Sequence, residues 1–320
     1  VDVSLLGFEN RSGTVNPTGS QLVLGARDNS GNAGNPPNIG NHSGIKLDDV
    51  RFYDVPLTDQ DVSAIYNNGQ GDQVPPVDTD DDGISDAVDP DDDNDGYPDA
   101  EEIAASSDPL DGASLPSVGK VIYVDDNASG TNNGSSWVNA YTTLQAALAE
   151  ANGSVRTQIW VAEGVYRPDL GPGQTANSRT STFQLKNRVE IHGGFTGNET
   201  NLDHRTRAGD WITILSGDVG AANHHDDNAY HVVNASGVDR TAVLANFKIE
   251  HGRATGPADW DKRGAGILAD DGSPNLRYLF FVNNVSYGNN SGGGGLCVYN
   301  GGSPIVFSCF FLGNSAHWGG

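Results

Sequence analysis

The chain has 320 residues, well over the ~150 of an ordinary domain, so more than one folded unit is expected. Its 36 % hydrophobic residues and 42 glycines together supply the apolar material of a globular protein, which excludes wholesale disorder. A formal net charge of −24 with no basic stripe excludes nucleic acid and anionic lipid as partners, and no apolar run of about 18 residues offers a membrane span. No signal-peptide pattern opens the chain and no Met occurs in it. A strand-like start and a half-repeated end read as a fragment of a longer protein.

Residues 1–70 alternate short apolar runs, VDVSLLGF, QLVLGA and IKLDDVRFYD, with Gly, Asn and Pro clusters, the pattern of strands joined by turns. After Pro56, the stretch Thr58 to Asp61 has capping-box spacing, Val62, Ile65 and Tyr66 share a helical face, and Asn68-Gly69 ends it. One short helix is expected there. The phrase LDDVRFYDVPLT followed by DQDVSAIYNNG resembles the C-terminal end of laminin-G-like or concanavalin-like jelly-roll domains. That resemblance implies that 1–70 is the C-terminal part of such a domain, since about 70 residues are too few for its two full sheets.

Residues 71–119, bracketed by Pro75-Pro76 and Pro116, hold fifteen carboxylates between 78 and 111 and no Lys or Arg there. Within them Asp78-x-Asp80-x-Asp82-Gly83-x-x-Asp86 recurs thirteen residues on as Asp91-x-Asp93-x-Asp95-Gly96-x-x-Asp99. Alternating carboxylates with a glycine to sharpen the turn suit a hard cation held by several oxygens, as in the first half of an EF-hand loop, and point to Ca2+. An EF-hand needs a bidentate Glu at its twelfth position and flanking helices; here the ligand set reads instead as restarting. The block, down to its closing phrase DGYPDAEEIAASSDPLDG, is similar to thrombospondin type 3 calcium repeats. On that resemblance Asp78, Asp80, Asp82, Asp86, Asp91, Asp93, Asp95 and Asp99 are the expected ligands, with Asp89 and Glu102 bridging. The competing reading is a solvated linker extended by self-repulsion. Fifteen uncompensated carboxylates disfavour compaction unless divalent ions neutralise them, so Ca2+ is expected to turn the stretch from a tether into a stiff joint.

From residue 120 onward the sequence repeats. Gly266-Ile267-Leu268 aligns with Gly295-Leu296-Cys297 at an offset of 29, and Leu276, Leu279 and Phe281 align with Val306, Cys309 and Phe311 at 30. An earlier copy, Leu244, Phe247 and Ile249, fits the same three slots at 32. A period of this length marks a repeat architecture in which like side chains stack on like. Between 139 and 151, Leu144, Ala147, Leu148 and Ala151 form one stripe of a helix suited to covering the open first turn, whose strand edges are otherwise exposed. The phrases IYVDDNASGTNNGSSWVNAYTTLQAALAEA, IWVAEGVYRPD, TILSGD and GGGLCVYNGGSPIVFSCFFLGNSA resemble bacterial secreted right-handed parallel β-helix proteins with polymorphic outer-membrane-protein-type repeats. The resemblance covers 120–320. It implies a mainly β chain: a right-handed parallel β-helix with an N-terminal capping helix, preceded by a partial jelly roll and a calcium-binding acidic linker.

The run His224-His225-Asp226-Asp227 with His231 has the composition of a transition-metal site, but adjacent residues point apart and a solvated loop is the better reading. Polysaccharide cleavage needs convergent carboxylates and a basic group, for which Asp218, Asp226 and Asp270 with Arg263 or Arg277 are the candidates. No catalytic residue is assigned from them, because Asp270-Asp271-Gly272 falls in a slot that repeats as Tyr299-Asn300-Gly301, the mark of a bend. Cys297 and Cys309 fall in apolar slots and read as buried free thiols, a bridge within the turn being the alternative. Trp137, Trp160, Trp211, Trp260 and Trp318 read as core and cap packing. The expectation is an extracellular or cell-surface calcium-binding protein that makes adhesive or carbohydrate contacts, its partners being surface polysaccharides or other surface proteins. A polysaccharide lyase or glycoside hydrolase is the alternative, and a structural filament or surface-layer component the second.

Overall fold

A computed structural model of the chain describes residues 77–205, 211–222, 224–289 and 291–317. The expected jelly-roll end at 1–70, with its helix and His42, lies outside these residues, as do Trp318 and the closing Gly319-Gly320. The chain divides into compact units of residues 1–73 and 74–320, and all described residues belong to the second.

This second unit is mainly β, and its strands pair in parallel throughout the described residues. One sheet sets β1 (Lys120–Val124), β2 (Thr157–Ala162), β5 (Val189–Phe195), β8 (Val243–Ala245), β12 (Asn275–Arg277) and β16 (Ile305–Phe307) side by side. A second joins β3 (Gly164–Tyr166), β6 (Thr213–Ser216), β9 (Lys248–Glu250), β13 (Phe280–Val282) and β17 (Phe310–Leu312). The third joins β4 (Phe183–Gln184), β7 (Val233–Asn234), β11 (Ile267–Asp270) and β15 (Leu296–Tyr299), while β10 (Arg253–Ala254) and β14 (Val285–Ser286) form a separate pair. From β4 onward the chain visits the third, first and second sheets in turn, so that each of these coils adds one strand to all three.

Short strands follow from the bends between them. Asn246, Tyr278 and Ser308 occupy the same bend in successive coils, all with positive φ, as do His251, Asn283 and Gly313 at the next bend. Left-handed backbone stops a strand, and Asn and Gly tolerate it best. Pairing holds β11 to β15 at an offset of 29, β12 to β16 at 30 and β8 to β12 at 32, the spacings of the sequence alignment. Like therefore stacks on like: Ile122, Ile159, Ile191, Leu244, Leu276 and Val306 form one apolar row across the first sheet. Five of them are fully buried; Val306, in the outermost described coil, is 44 % exposed. At a buried bend the Asn284 side chain donates to Ile249 O and to Asn314 Oδ1, both at 2.9 Å, and accepts from Gly252 N, so the turn's polar groups find partners inside the protein.

Among the described residues there are two short α-helices, α1 (Asp99–Ala105) and α2 (Leu144–Glu150). The latter buries Leu144, Ala147 and Leu148 against β1 and β4, the stripe expected from sequence, and starts only at 144 because its N-cap, Thr143, is extended. Tyr123, Trp160 and Phe195 of the first sheet form an aromatic cluster with Trp137, Trp160 stacking on Phe195 at 4.9 Å. Trp211 packs on Phe280 and Phe310, whereas Trp260 is 63 % exposed and is not core.

The sequence boundary at 119/120 has no counterpart in the packing. Arg188 pairs with Glu101, Arg240 donates to Asn94 O at 2.9 Å, and Tyr97 is 2 % exposed, so the second half of the acidic stretch lies on the coils rather than apart from them.

Candidate metal centre

The two acidic turns are built alike, bond for bond. Asp80 Oδ1 accepts from Asp82 N at 2.9 Å, and Asp93 Oδ1 from Asp95 N at 3.1 Å. Asp78 and Asp91 each accept from the glycine five residues on, Gly83 and Gly96, at 3.1 Å. Asp82 Oδ1 accepts from Ile84 N, and Asp95 Oδ1 from Tyr97 N. Gly83 (φ +95°) and Gly96 (φ +97°) take a backbone that L side chains rarely adopt, which is why glycine stands after the third aspartate both times. Each aspartate spends one oxygen on shaping its turn, and the leftover Asp78 Oδ1, Asp80 Oδ2, Asp91 Oδ1, Asp93 Oδ2 and Asp95 Oδ2 are buried without a hydrogen-bond partner among the described residues. In each triad, Asp78/Asp80/Asp82 and Asp91/Asp93/Asp95, one carboxylate oxygen per residue comes within 4.8 Å of the others.

Helix α1 follows the second turn and buries Glu102. Counted from Asp91, Glu102 is the twelfth residue, the position at which an EF-hand loop places its bidentate glutamate; counted from Asp78, the twelfth is Asp89. The thirteen-residue repeat thus leaves room for a twelve-residue loop that ends in an acid. Glu102 is 0 % exposed and neither of its carboxylate oxygens has a hydrogen-bond partner among the described residues. Burial, then the charge of Asp95, pushes its carboxyl up to about 7. Burial likewise pushes Asp95 up to about 6 and raises Asp91 and Asp93. Glu190 makes the contrast. It too is buried, but His192 and Arg156 bond to it, and together they overcome the burial and hold it down at about 2. A buried carboxylate bonded to charged partners falls; Glu102, Asp91, Asp93 and Asp95 rise because burial and one another's charges outweigh the backbone N–H groups that bond to the aspartates. A cation bound among them would supply the missing partner, and the all-oxygen donor set fits a hard one.

Among the other expected ligands, Asp86 turns its carboxylate to Thr79 N and Oγ1 at 2.9 Å, and Asp99 accepts from Asp92 N at 2.9 Å, so both brace the turns rather than joining the triads. Asp89 uses Oδ1 on Asp91 N, which ties the end of one turn to the start of the next. Sequence reasoning missed Asp92. It is 8 % exposed with Oδ1 buried and partnerless, and burial together with Asp99, Asp86 and Asp89 pushes it up to about 6. Its signal in the sequence was its place between two ligand positions in an acid run, where nothing in the spacing singles it out.

The remaining candidates do not converge. His225–Asp227 is a single helical turn, His224 faces Asp227, and His231 is buried with Nδ1 3.1 Å from Gly264 O. Asp226 pairs with Arg253, Asp270 accepts from Asn300 on the third sheet, Arg277 donates to Asn275 on the first, and Arg263 lies over the Tyr299 ring. Cys297 and Cys309 are free thiols, half-buried rather than buried because they belong to the outermost described coil. No family model, curated protein or solved structure matches the chain.

Proposed function

We propose that this chain is an extracellular or cell-surface protein in which two calcium-binding turns brace a right-handed parallel β-helix, the whole serving adhesion or carbohydrate contact. The observation that carries the reading is the buried, partnerless carboxylate of Glu102, on which the charges of Asp95, Asp93 and Asp91 act, together with the converging triad that those three aspartates form. Donors that are all oxygen argue against zinc or copper, which prefer imidazole and thiolate. Mg2+ keeps several waters and demands a small octahedral shell, whereas a twelve-residue loop with an acid at its end suits the larger, more flexible shell of Ca2+. In the second loop Asp91, Asp93, Asp95 and Glu102 would hold the ion; in the first, Asp78, Asp80, Asp82 and Asp89. Extracellular modules of this kind work at Ca2+ affinities of about 10⁻⁴–10⁻³ M, which fits a cell-surface setting. The coils that stack at offsets of 29 to 32 support the β-helix reading, and its resemblance to secreted bacterial repeats supports surface polysaccharides or surface proteins as partners.

Calorimetric titration of the 320-residue chain with CaCl2 tests this. Two ions per chain, with Mg2+ bound more weakly, are expected; no heat at millimolar Ca2+ overturns the calcium reading. A glycan array probed with and without Ca2+ tests the contact role, for which binding without turnover is the expected result.

A further inference from the structure

The two turns share a template and differ in surroundings, so the molecule carries its own control. At the seventh position the first turn has Ile84, 46 % exposed, and the second has Tyr97, 2 % exposed. A Cβ on Gly83 would meet nothing within 4 Å, whereas one on Gly96 would come 2.8 Å from Thr241 Cγ2. The second turn rests on the outer face of the first sheet. Arg240, just before β8, donates to Asn94 O at 2.9 Å, and the Arg188 guanidinium sits 5.9 Å from the Tyr97 ring centre while pairing with Glu101 of α1. Thr241, which Gly96 touches, accepts from Arg188 N at 2.7 Å, so both arginines and the turn share one contact point. A cavity of about 260 Å³ lies along this seam, lined by Asp95, Tyr97, Glu190, Arg240, Thr241 and Arg277 among others.

We infer that the coil face and the second turn's cation site are coupled: docking on Thr241, Arg188 and Arg240 raises the affinity of that site above that of the first turn, and loss of the ion releases residues 91–106 from the coils. The inference rests on the calcium reading and extends it to how the site is regulated. Tyr97 lies between the ligands Asp95 and Glu102 in the chain, so the backbone that must curl around an ion is the backbone that must seat the ring. Coupling of this kind is reciprocal: whatever weakens docking weakens ion binding by the same factor, though neither arginine nor Thr241 is itself a ligand.

The test uses the whole chain, CaCl2 and two readouts. In titration calorimetry, Arg188→Ala/Arg240→Ala lowers the tighter of two affinities by about tenfold, within the usual range for coupled sites, and leaves the weaker unchanged. Gly96→Ala does the same, and Gly83→Ala affects only the weaker. In hydrogen exchange on the unaltered protein, the amides of residues 97–106 lose protection when EGTA removes Ca2+, while those of β5 and β8 keep theirs. Ion binding with 97–106 equally protected in both states overturns the coupling and leaves the calcium reading standing, as do double-variant affinities equal to those of the unaltered chain. No heat from the unaltered chain overturns the calcium reading and this inference with it.

Discussion

Glu102 and Glu190 divide on partners rather than on burial. A carboxylate whose folded pKa is raised above its unfolded value of 4.5 contributes stability that is present below that value and lost as pH rises through the folded one. For Glu102, raised from 4.5 to about 7, and Asp95, raised from 3.8 to about 6, the cation-free turn is therefore most stable in acid and weakens between pH 3.8 and about 7. An ion reverses the sign, because it binds the deprotonated oxygens and must displace those protons. Calcium affinity measured by titration at pH 5 is expected to be weaker than at pH 7.5 by at least about tenfold, and a pH-independent affinity contradicts the assignment. Glu102→Gln keeps the shape and removes the charge. It should raise the melting temperature in EGTA at pH 7.5, since a buried unpaired anion is gone, and lower it in Ca2+, since a ligand is gone. A fall in both conditions would mean that Glu102 is structural.

At the scale of elements, the rows that run through the coils say where the apolar stabilisation sits. Leu244 is fully buried with neighbours on both sides, Leu276 and Ile191, whereas Phe311 stacks on Phe281 at 4.5 Å from one side only and is 47 % exposed. Leu244→Ala is expected to cost ~2–5 kcal/mol in denaturant unfolding, and Phe311→Ala about 1–2 kcal/mol. Equal costs would contradict the stacked arrangement. The rows were legible in the sequence because each coil must present an apolar residue to the one beneath it, so Leu244, Leu276 and Val306 betray themselves by spacing alone. The acid turns were legible for a similar local reason: Asp-x-Asp-x-Asp-Gly is a short-range geometry. The twelfth position of Glu102 was also in the sequence, hidden by the thirteen-residue repeat that runs past it. Helix α1 was not legible, since an acid-rich stretch of seven residues between Pro98 and Ser106 gives no amphipathic period.

At the scale of the molecule, the docking of the acidic stretch could not have been read in advance. Gly96 and Thr241 lie 145 positions apart, Asn94 and Arg240 146, and neither Thr241 nor Arg240 sits in any motif. Their meeting belongs to the fold and not to a pattern. The consequence is that residues 74–320 form one compact unit in which an ion-sized cluster of carboxylates is pinned to a sheet face. The central claim, a hard cation among Asp91, Asp93, Asp95 and Glu102, can be addressed through Tyr97, the aromatic residue inside that loop. Terbium luminescence, excited through tyrosine, is the most direct measurement. The account predicts sensitised emission that saturates, is displaced by Ca2+, and is lost in Glu102→Gln and in Tyr97→Phe. Absence of emission, or emission that Glu102→Gln leaves unchanged, would contradict it.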